Sequence, residues 1–306
     1  MARQIIIDTD PGCDDGVAIL LALASPELEV LALVAVAGNL PLATTERNAR
    51  AIVELAGRPD IAVYAGCPRP LGPPRVRASQ IHGDGGLGAL ILPEPQAPLR
   101  PEHGVAFLID AVCRAPPHSV TLCSLGPLTN IATALVMAPD IAERAAGLVI
   151  MGGSSQNSGN VSPVAEFNMY VDPHAAALVF DSGLPITLVP LDLTTQVLST
   201  SARIDAVRAL PNRCGPAAAL LMQRETPSGS VMPLHDPCVI ASLIAPEMFA
   251  GSAANVAVET ASPLAFGMTV IDRRGVSGRP VNARVLHEVD VEGFYRLLTA
   301  RLAGLP

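Results

Sequence analysis

Ile5-Ile6-Ile7-Asp8-Thr9-Asp10-Pro11-Gly12-Cys13-Asp14-Asp15-Gly16 is the stretch that decides the fold. Three β-branched residues in a row read as a strand buried on both faces. Pro11 and Gly12 break that strand, and the apolar spacing from Asp14 to Ala24 is that of a helix. An apolar strand passing through a glycine turn into a helix opens a β-α-β unit. The turn is also densely acidic, with Asp8, Asp10, Asp14 and Asp15 inside eight residues. A helix start favours one or two acids, not four. Carboxylates crowded at one strand end repel unless protons or a cation intervene. An all-oxygen donor set of this density suits a hard cation, Ca²⁺ or Mg²⁺.

Outward from that stretch the alternation continues. Strands are expected at Glu29–Ala37, Ile61–Tyr64, Ser119–Ser124, Gly147–Met151 and Ile186–Val189. Helices are expected at Leu42–Leu55, Val105–Cys113, Leu128–Met137 and Asp172–Asp181, the last with Asp172 as cap and Pro173 at its first position. Gly66 to Gly104 is rich in Pro and Gly and is expected to hold little regular structure. From Thr200 to Ile244 the pattern is helical; strands at Val256–Glu259, Met268–Ile271 and Ala283–Val285 and a helix at Val291–Leu302 follow. The pattern predicts an α/β fold, an open and mainly parallel sheet with helices on both faces. No linker or repeat divides it, so residues 1–306 are expected to form a single domain. In such sheets ligands sit beyond the carboxyl ends of the strands. Attention therefore falls on Asp8–Asp15, Gly38–Asn39, Leu125–Asn130 and Gly152–Asn168.

Composition narrows the function. Half the residues are hydrophobic and 16% are charged, which excludes disorder. The longest apolar runs, Val17–Ala24 and Val30–Ala37, are eight residues each, far short of the ~20 a membrane span needs. The net charge is −8, and all 20 basic residues are arginine. Without lysine there is no Schiff-base chemistry and no Walker-type phosphate loop. An acidic chain with no Trp and 3% aromatics makes a poor nucleic-acid binder. The six cysteines are scattered, with no C-x-x-C pair, and read as reduced thiols. With an N-terminus that runs straight into the first strand, they predict a cytoplasmic protein. Gly83-Asp-Gly85-Gly-Leu-Gly88 spells a dinucleotide fingerprint, but it follows no strand and leaves no room for a helix before Pro95.

Asp8-Thr-Asp10-Pro-Gly-Cys-Asp14-Asp15 resembles the opening motif of the inosine–uridine preferring nucleoside hydrolase family, which cleaves the N-glycosidic bond of ribonucleosides. The resemblance continues through Gly38-Asn39, His82-Gly-Asp84, Leu125-Gly-Pro-Leu-Thr-Asn130, Met151-Gly-Gly, Asn160, Glu166-Phe-Asn168, Tyr170-Val-Asp172-Pro and Leu234-His235-Asp236-Pro237, in order along most of the chain. It implies a Rossmann-like nucleoside hydrolase fold and Ca²⁺ held by Asp10, Asp15, Asp236 and the carbonyl of Leu125. It further implies Asp14 as general base on a metal-bound water, with Asp8 supporting the site. His235 would lie beside the leaving base. Asn39, His82, Met151, Asn160, Glu166 and Asn168 would contact the substrate. The family also implies a homodimer or homotetramer acting on a small ribonucleoside.

The chain departs from that pattern in two places. Cys13 stands where many relatives carry His, which points to different surroundings for the base. Gln223–Leu234 holds neither Tyr nor Trp to stack on or protonate the base, leaving Gln223 and Arg224 as polar contacts. Two other readings of the motif stay open. Asp8-Thr-Asp10 also fits a haloacid-dehalogenase-like phosphatase with Asp8 as nucleophile, although Pro11 stands where glycine is usual and the expected later Lys is absent. A non-catalytic nucleoside or ribose binder would keep the metal ligands but lose the base, and Asp14 is present.

Overall fold

The computed structural model describes residues 2–72, 85–156, 158–223 and 231–306. Among these, ten strands form one sheet in the order β4-β3-β2-β1-β5-β6-β7-β10-β8-β9. They are β1 (Arg3–Thr9), β2 (Leu28–Ala35), β3 (Ala62–Ala65), β4 (Leu99–Arg100), β5 (Val120–Ser124), β6 (Gly147–Met151), β7 (Ile186–Val189), β8 (Phe249–Val258), β9 (Thr269–Asp272) and β10 (Ala283–Val289). Every pairing from β4 across to β10 is parallel, while β8 is antiparallel to both β10 and β9. The sequence reading of a mainly parallel sheet holds.

Strand alternation sorts the helices. Ile5 and Ile7 face one core with the helices Cys13–Leu23, Cys214–Met222, Pro237–Ile244 and Val291–Leu302. Ile6 faces the other, with Gly104–Arg114, Thr129–Met137 and Pro173–Phe180. From β1 the chain runs outward through β2, β3 and β4, then returns to β5 on the opposite side of β1. The loops leaving β1 and β5 therefore part in opposite directions, and a crevice opens beyond their carboxyl ends.

The differences from expectation have local causes. β8 starts at Phe249, well before the expected Val256, because Ala250-Gly-Ser-Ala-Ala carries no β-branched signal and is a strand through its pairing with β10. Short helices at Ile141–Arg144, Phe167–Val171 and Leu191–Thr194 are too brief to leave a period. In the described part of the segment expected to be irregular, only the two-residue β4 forms. Among the described residues no helix is long and apolar enough to cross a membrane.

Candidate active site

The β1 exit is organised around Asp15. Its Oδ1 accepts from Thr9 Oγ1 at 2.6 Å and from the Asp10 amide at 3.3 Å; its Oδ2 accepts from the Gly12 amide at 2.9 Å. One carboxylate thus closes the turn between the strand and the helix Cys13–Leu23. Asp10 points the other way, toward the β2 exit, where its Oδ2 accepts the Asn39 amide at 2.6 Å. The Asn39 side chain donates to the Asp10 carbonyl at 3.3 Å and to Asp15 Oδ2 at 3.5 Å, so it braces both acids. Gly38 and Gly126 flank the Asp10 carboxylate so closely that a Cβ on either would run into it. Asp10 Oδ1 is buried and has no hydrogen-bond partner among the described residues.

Asp236 arrives from the start of the helix Pro237–Ile244. Asp14, Asp15 and Asp236 are all buried and bring carboxylate oxygens within 4.8 Å of one another. Such a cluster could hold a metal ion, and it joins the β1 exit to a helix start about 220 residues later in the chain. It includes Asp14, expected as the base, and does not include Asp10, whose carboxylate lies alongside, bridged through Asn39. His235, half-buried, meets Thr194 Oγ1 through Nδ1 at 2.7 Å. Thr194 belongs to the short helix just past β7, a strand exit that the sequence reading passed over.

The β5 and β6 exits complete the floor. The Leu125 amide donates to the Asp8 carbonyl at 2.8 Å, locking the β5 exit to β1. The Leu125 carbonyl accepts Asn168 Nδ2 at 2.8 Å, and the same amide donates to the Met151 carbonyl at 3.2 Å. Glu166 caps the helix Phe167–Val171, accepting from the amides of Asn168 (2.8 Å), Met169 (3.2 Å) and Gly153 (3.0 Å). Met151, Glu166 and Asn168 are thus gathered at one strand end. Asn160 is exposed and accepts the Phe167 amide through Oδ1 at 2.9 Å. His82 and Arg224 lie outside the described residues. The Cys13 thiol is buried and donates to the Gly86 carbonyl at 3.6 Å. Asn48 ties the same two loops, donating to the carbonyls of Pro11 (3.0 Å) and Gly85 (2.9 Å).

Asp8 sits deeper. Its Oδ2 accepts Asn130 Nδ2 at 2.7 Å, and Asn130 also donates to the Ala35 carbonyl and accepts the Cys67 amide. Burial pushes the Asp8 carboxyl up to about 8. A nucleophile must be reachable, and the Asp8 carboxyl is 1% exposed with its Oδ2 engaged by Asn130. That burial speaks against Asp8 as the nucleophile of the phosphatase reading. Asp15 is raised to about 6, by burial first and then by the charge of Asp14. Asp10 is raised well above the usual carboxylate range, by burial and then by Asp15. Desolvation and mutual repulsion together demand protons or a cation, and an all-oxygen cluster with an unsatisfied buried oxygen fits a hard divalent ion.

The comparisons with known proteins agree with this geometry. The family described as inosine-uridine preferring nucleoside hydrolase matches residues 5–296. A pyrimidine-specific ribonucleoside hydrolase of Photobacterium profundum is 42% identical over 99% of this chain and 100% of its own length. A plant nucleoside hydrolase superposes with a TM-score of 0.91 at 32% identity, covering 99% of both chains. A purine-preferring ribonucleoside hydrolase from Gardnerella vaginalis gives 0.91 at 31% identity, over 99% of this chain and 98% of the other. With the acidic strand exits in place and these matches spanning the whole sheet, the chain belongs to the inosine–uridine preferring nucleoside hydrolase family and is an enzyme that hydrolyses the N-glycosidic bond of nucleosides.

Proposed function

We propose that this enzyme is a Ca²⁺-dependent ribonucleoside hydrolase that releases free base and ribose, with Asp14 as general base. Asp10, Asp15, Asp236 and the Leu125 carbonyl would hold the ion; three carboxylates and a carbonyl leave room in the six to eight oxygens Ca²⁺ accepts for substrate hydroxyls. When bound, the cation supplies the positive charge that makes a nearby water more acidic. Asp14 takes the proton from that water as its oxygen attacks the anomeric carbon. The attack is timed to the oxocarbenium character that develops as the glycosidic bond breaks.

His235 meets Thr194 Oγ1 through Nδ1 and would lie beside the departing base. Asn39, Met151, Asn160, Glu166, Asn168 and His82 would surround the sugar. Of these, Asn168 is the best placed, because its amide already joins the β5 and β6 exits. Pyrimidine ribonucleosides are the expected substrates. The relatives named pyrimidine-specific are 41–42% identical to this chain, against 31% for the purine-preferring enzyme. The assembly would be a homodimer or homotetramer and the compartment the cytoplasm.

One observation carries this reading: two aspartates of the β1 exit and Asp236, distant in sequence, converge to within 4.8 Å. The test is ribose release from a panel of pyrimidine and purine ribonucleosides by the wild type and by Asp236→Ala. Release that disappears in the variant, with its fold intact, supports the assignment; undiminished release removes Asp236 from the site.

A further inference from the structure

β6 leaves the sheet through Gly152 and Gly153, the latter with a left-handed backbone, φ 76°. The residues that follow form neither helix nor strand, so their amides must find partners elsewhere. Four in succession find side chains. The Gly153 amide donates to Glu166 Oε2 at 3.0 Å and the Ser154 amide to Thr269 Oγ1 at 2.8 Å. The amides of Ser155 and Gln156 donate to the two oxygens of one carboxylate, Asp192 Oδ2 at 2.8 Å and Oδ1 at 2.6 Å. Two further bonds close the grip: Thr269 Oγ1 donates to the Ser154 carbonyl at 2.6 Å, and the Leu191 amide donates to the Gly153 carbonyl at 2.9 Å.

We propose that Asp192 is a positioning residue for the sugar side of the active site. The proposal rests on the reading above in which Glu166 and Asn168 meet the ribose and His235 the base. Asp192 acts through the loop. A carboxylate that accepts two adjacent amides fixes the orientation of that backbone as well as its position. The held segment begins at Gly153, whose amide Glu166 Oε2 accepts. Glu166 Oε1 in turn accepts the Asn168 amide at 2.8 Å, and Asn168 Nδ2 reaches the carbonyls of Leu125 and Met151. Holding the loop therefore holds Glu166, and Glu166 holds Asn168.

The other end of the same short helix serves the base. Leu191 and Asp192 grip the sugar loop, while Thr194 Oγ1 meets His235 Nδ1 at 2.7 Å. Just past the helix, Gln196 Nε2 donates to the Asp192 carbonyl at 2.8 Å and to the His287 carbonyl of β10 at 2.9 Å, which anchors the helix to the sheet. The helix Leu191–Thr194 thus joins the two halves of the site, and its two ends predict opposite kinetic signatures. Loss of Asp192 loosens the sugar, an effect on binding. Loss of the Thr194 hydroxyl frees the His235 ring, an effect on the chemical step. Thr269 gives the antiparallel β9 a part in the same arrangement, since it bonds Ser154 at both amide and carbonyl.

The test is steady-state kinetics on a ribonucleoside that the wild type cleaves, beside calorimetric titration of the metal-loaded enzyme with free ribose. Asp192→Ala should raise KM and the ribose Kd by about tenfold or more, with kcat changed far less. Asp192→Asn keeps one of the two accepting oxygens and should fall between. Thr269→Val should raise both constants by a smaller factor, and Thr269→Ser, which keeps the hydroxyl, should restore them. These two pairs carry the test if Asp192→Ala does not fold. Thr194→Val should do the reverse, lowering kcat by about ten- to a hundredfold with the ribose Kd unchanged, and Thr194→Ser should restore it. Asn212→Ala controls for destabilisation. It removes the bonds to the Leu302 carbonyl and from the Gly215 amide, at the far end of the final helix from the β10 exit. It should lower Tm and leave KM and the ribose Kd as in the wild type. Glu166→Ala tells two failures apart. If it weakens ribose binding while Asp192→Ala and Thr269→Val bind ribose as Asn212→Ala does, the proposal is overturned and the sugar reading stands. If Glu166→Ala binds ribose as the wild type does, the sugar reading falls and the proposal falls with it.

Discussion

Asp14 and Asp15 are sequence neighbours with separate tasks. Asp15 is spent on the turn, accepting from Thr9, Asp10 and Gly12, whereas Asp14 brings its carboxylate into the cluster with Asp15 and Asp236. Asp14→Asn should therefore keep the fold and the cation while kcat falls by about 10²–10⁴, the usual worth of a general base. Steady-state kinetics beside a metal-binding titration checks this, and an unchanged kcat removes Asp14 from the mechanism. Asn130 gives a purely structural counterpart. It donates to Asp8 and Ala35 and accepts from Cys67. Asn130→Ala would leave unpaired Asp8 on β1, the Ala35 carbonyl on β2 and the Cys67 amide just past β3, at a cost of about 1–3 kcal/mol per buried unpaired group, read as a lower denaturant midpoint. The sequence displayed the Asn but no sign of its partners, because contacts from the helix Thr129–Met137 to β1, β2 and the β3 exit leave no local pattern.

At the scale of elements, the site is a set of strand exits. The sequence made four of them legible, the β1, β2, β5 and β6 exits, through Asp, Asn and Gly clusters just after apolar runs. The β7 exit was not legible: Leu191-Asp-Leu-Thr194 has no glycine and looks like more core, yet it supplies the Thr194 hydroxyl to His235. Glu166 was legible as a polar residue but not as a cap, since the helix it starts is only five residues long. Its bonds to Gly153, Asn168 and Met169 place Asn168 under the Leu125 carbonyl. Glu166→Ala should lose the cap, lower stability by about 0.5–2 kcal/mol and loosen Asn168. Its KM for nucleoside should rise as well. The glycines that admit Asp10 belong to this scale too. Gly126→Ala puts a methyl group against the Asp10 carboxylate, and metal affinity should fall while the distant secondary structure stays intact by circular dichroism.

Across the whole molecule, the acids set how stability follows pH. Asp15 and Asp8 have folded values of about 6 and about 8, against 3.8 for the free residue. Groups raised on folding hold their proton more tightly in the native state, so their contribution is complete below the unfolded value and is lost as pH climbs through the folded ones. Metal-free protein should therefore lose thermal stability steadily from about pH 4 to about pH 8. Ca²⁺ should reverse the trend, because it binds the deprotonated carboxylates and replaces the protons. Melting curves with chelator and with Ca²⁺ across that window check both signs. Fold class was the easiest thing to read at this scale, since buried parallel strands are written as apolar runs. The antiparallel β8–β9 addition was not readable in its direction, which is set by partners rather than by periodicity.

Ribonucleoside cleavage is expected to depend on a cation held where the aspartates converge. The most direct measurement is ribose release from uridine, cytidine, inosine and their 2′-deoxy forms by chelator-stripped enzyme, before and after Ca²⁺ is restored. The prediction is no release from stripped enzyme, full recovery on adding Ca²⁺, and a strong preference for the ribonucleoside over its deoxy partner, because a site built to bind a hydroxyl rejects the analogue that lacks it. Full activity in the stripped enzyme, or equal rates on a ribonucleoside and its deoxy form, would contradict it.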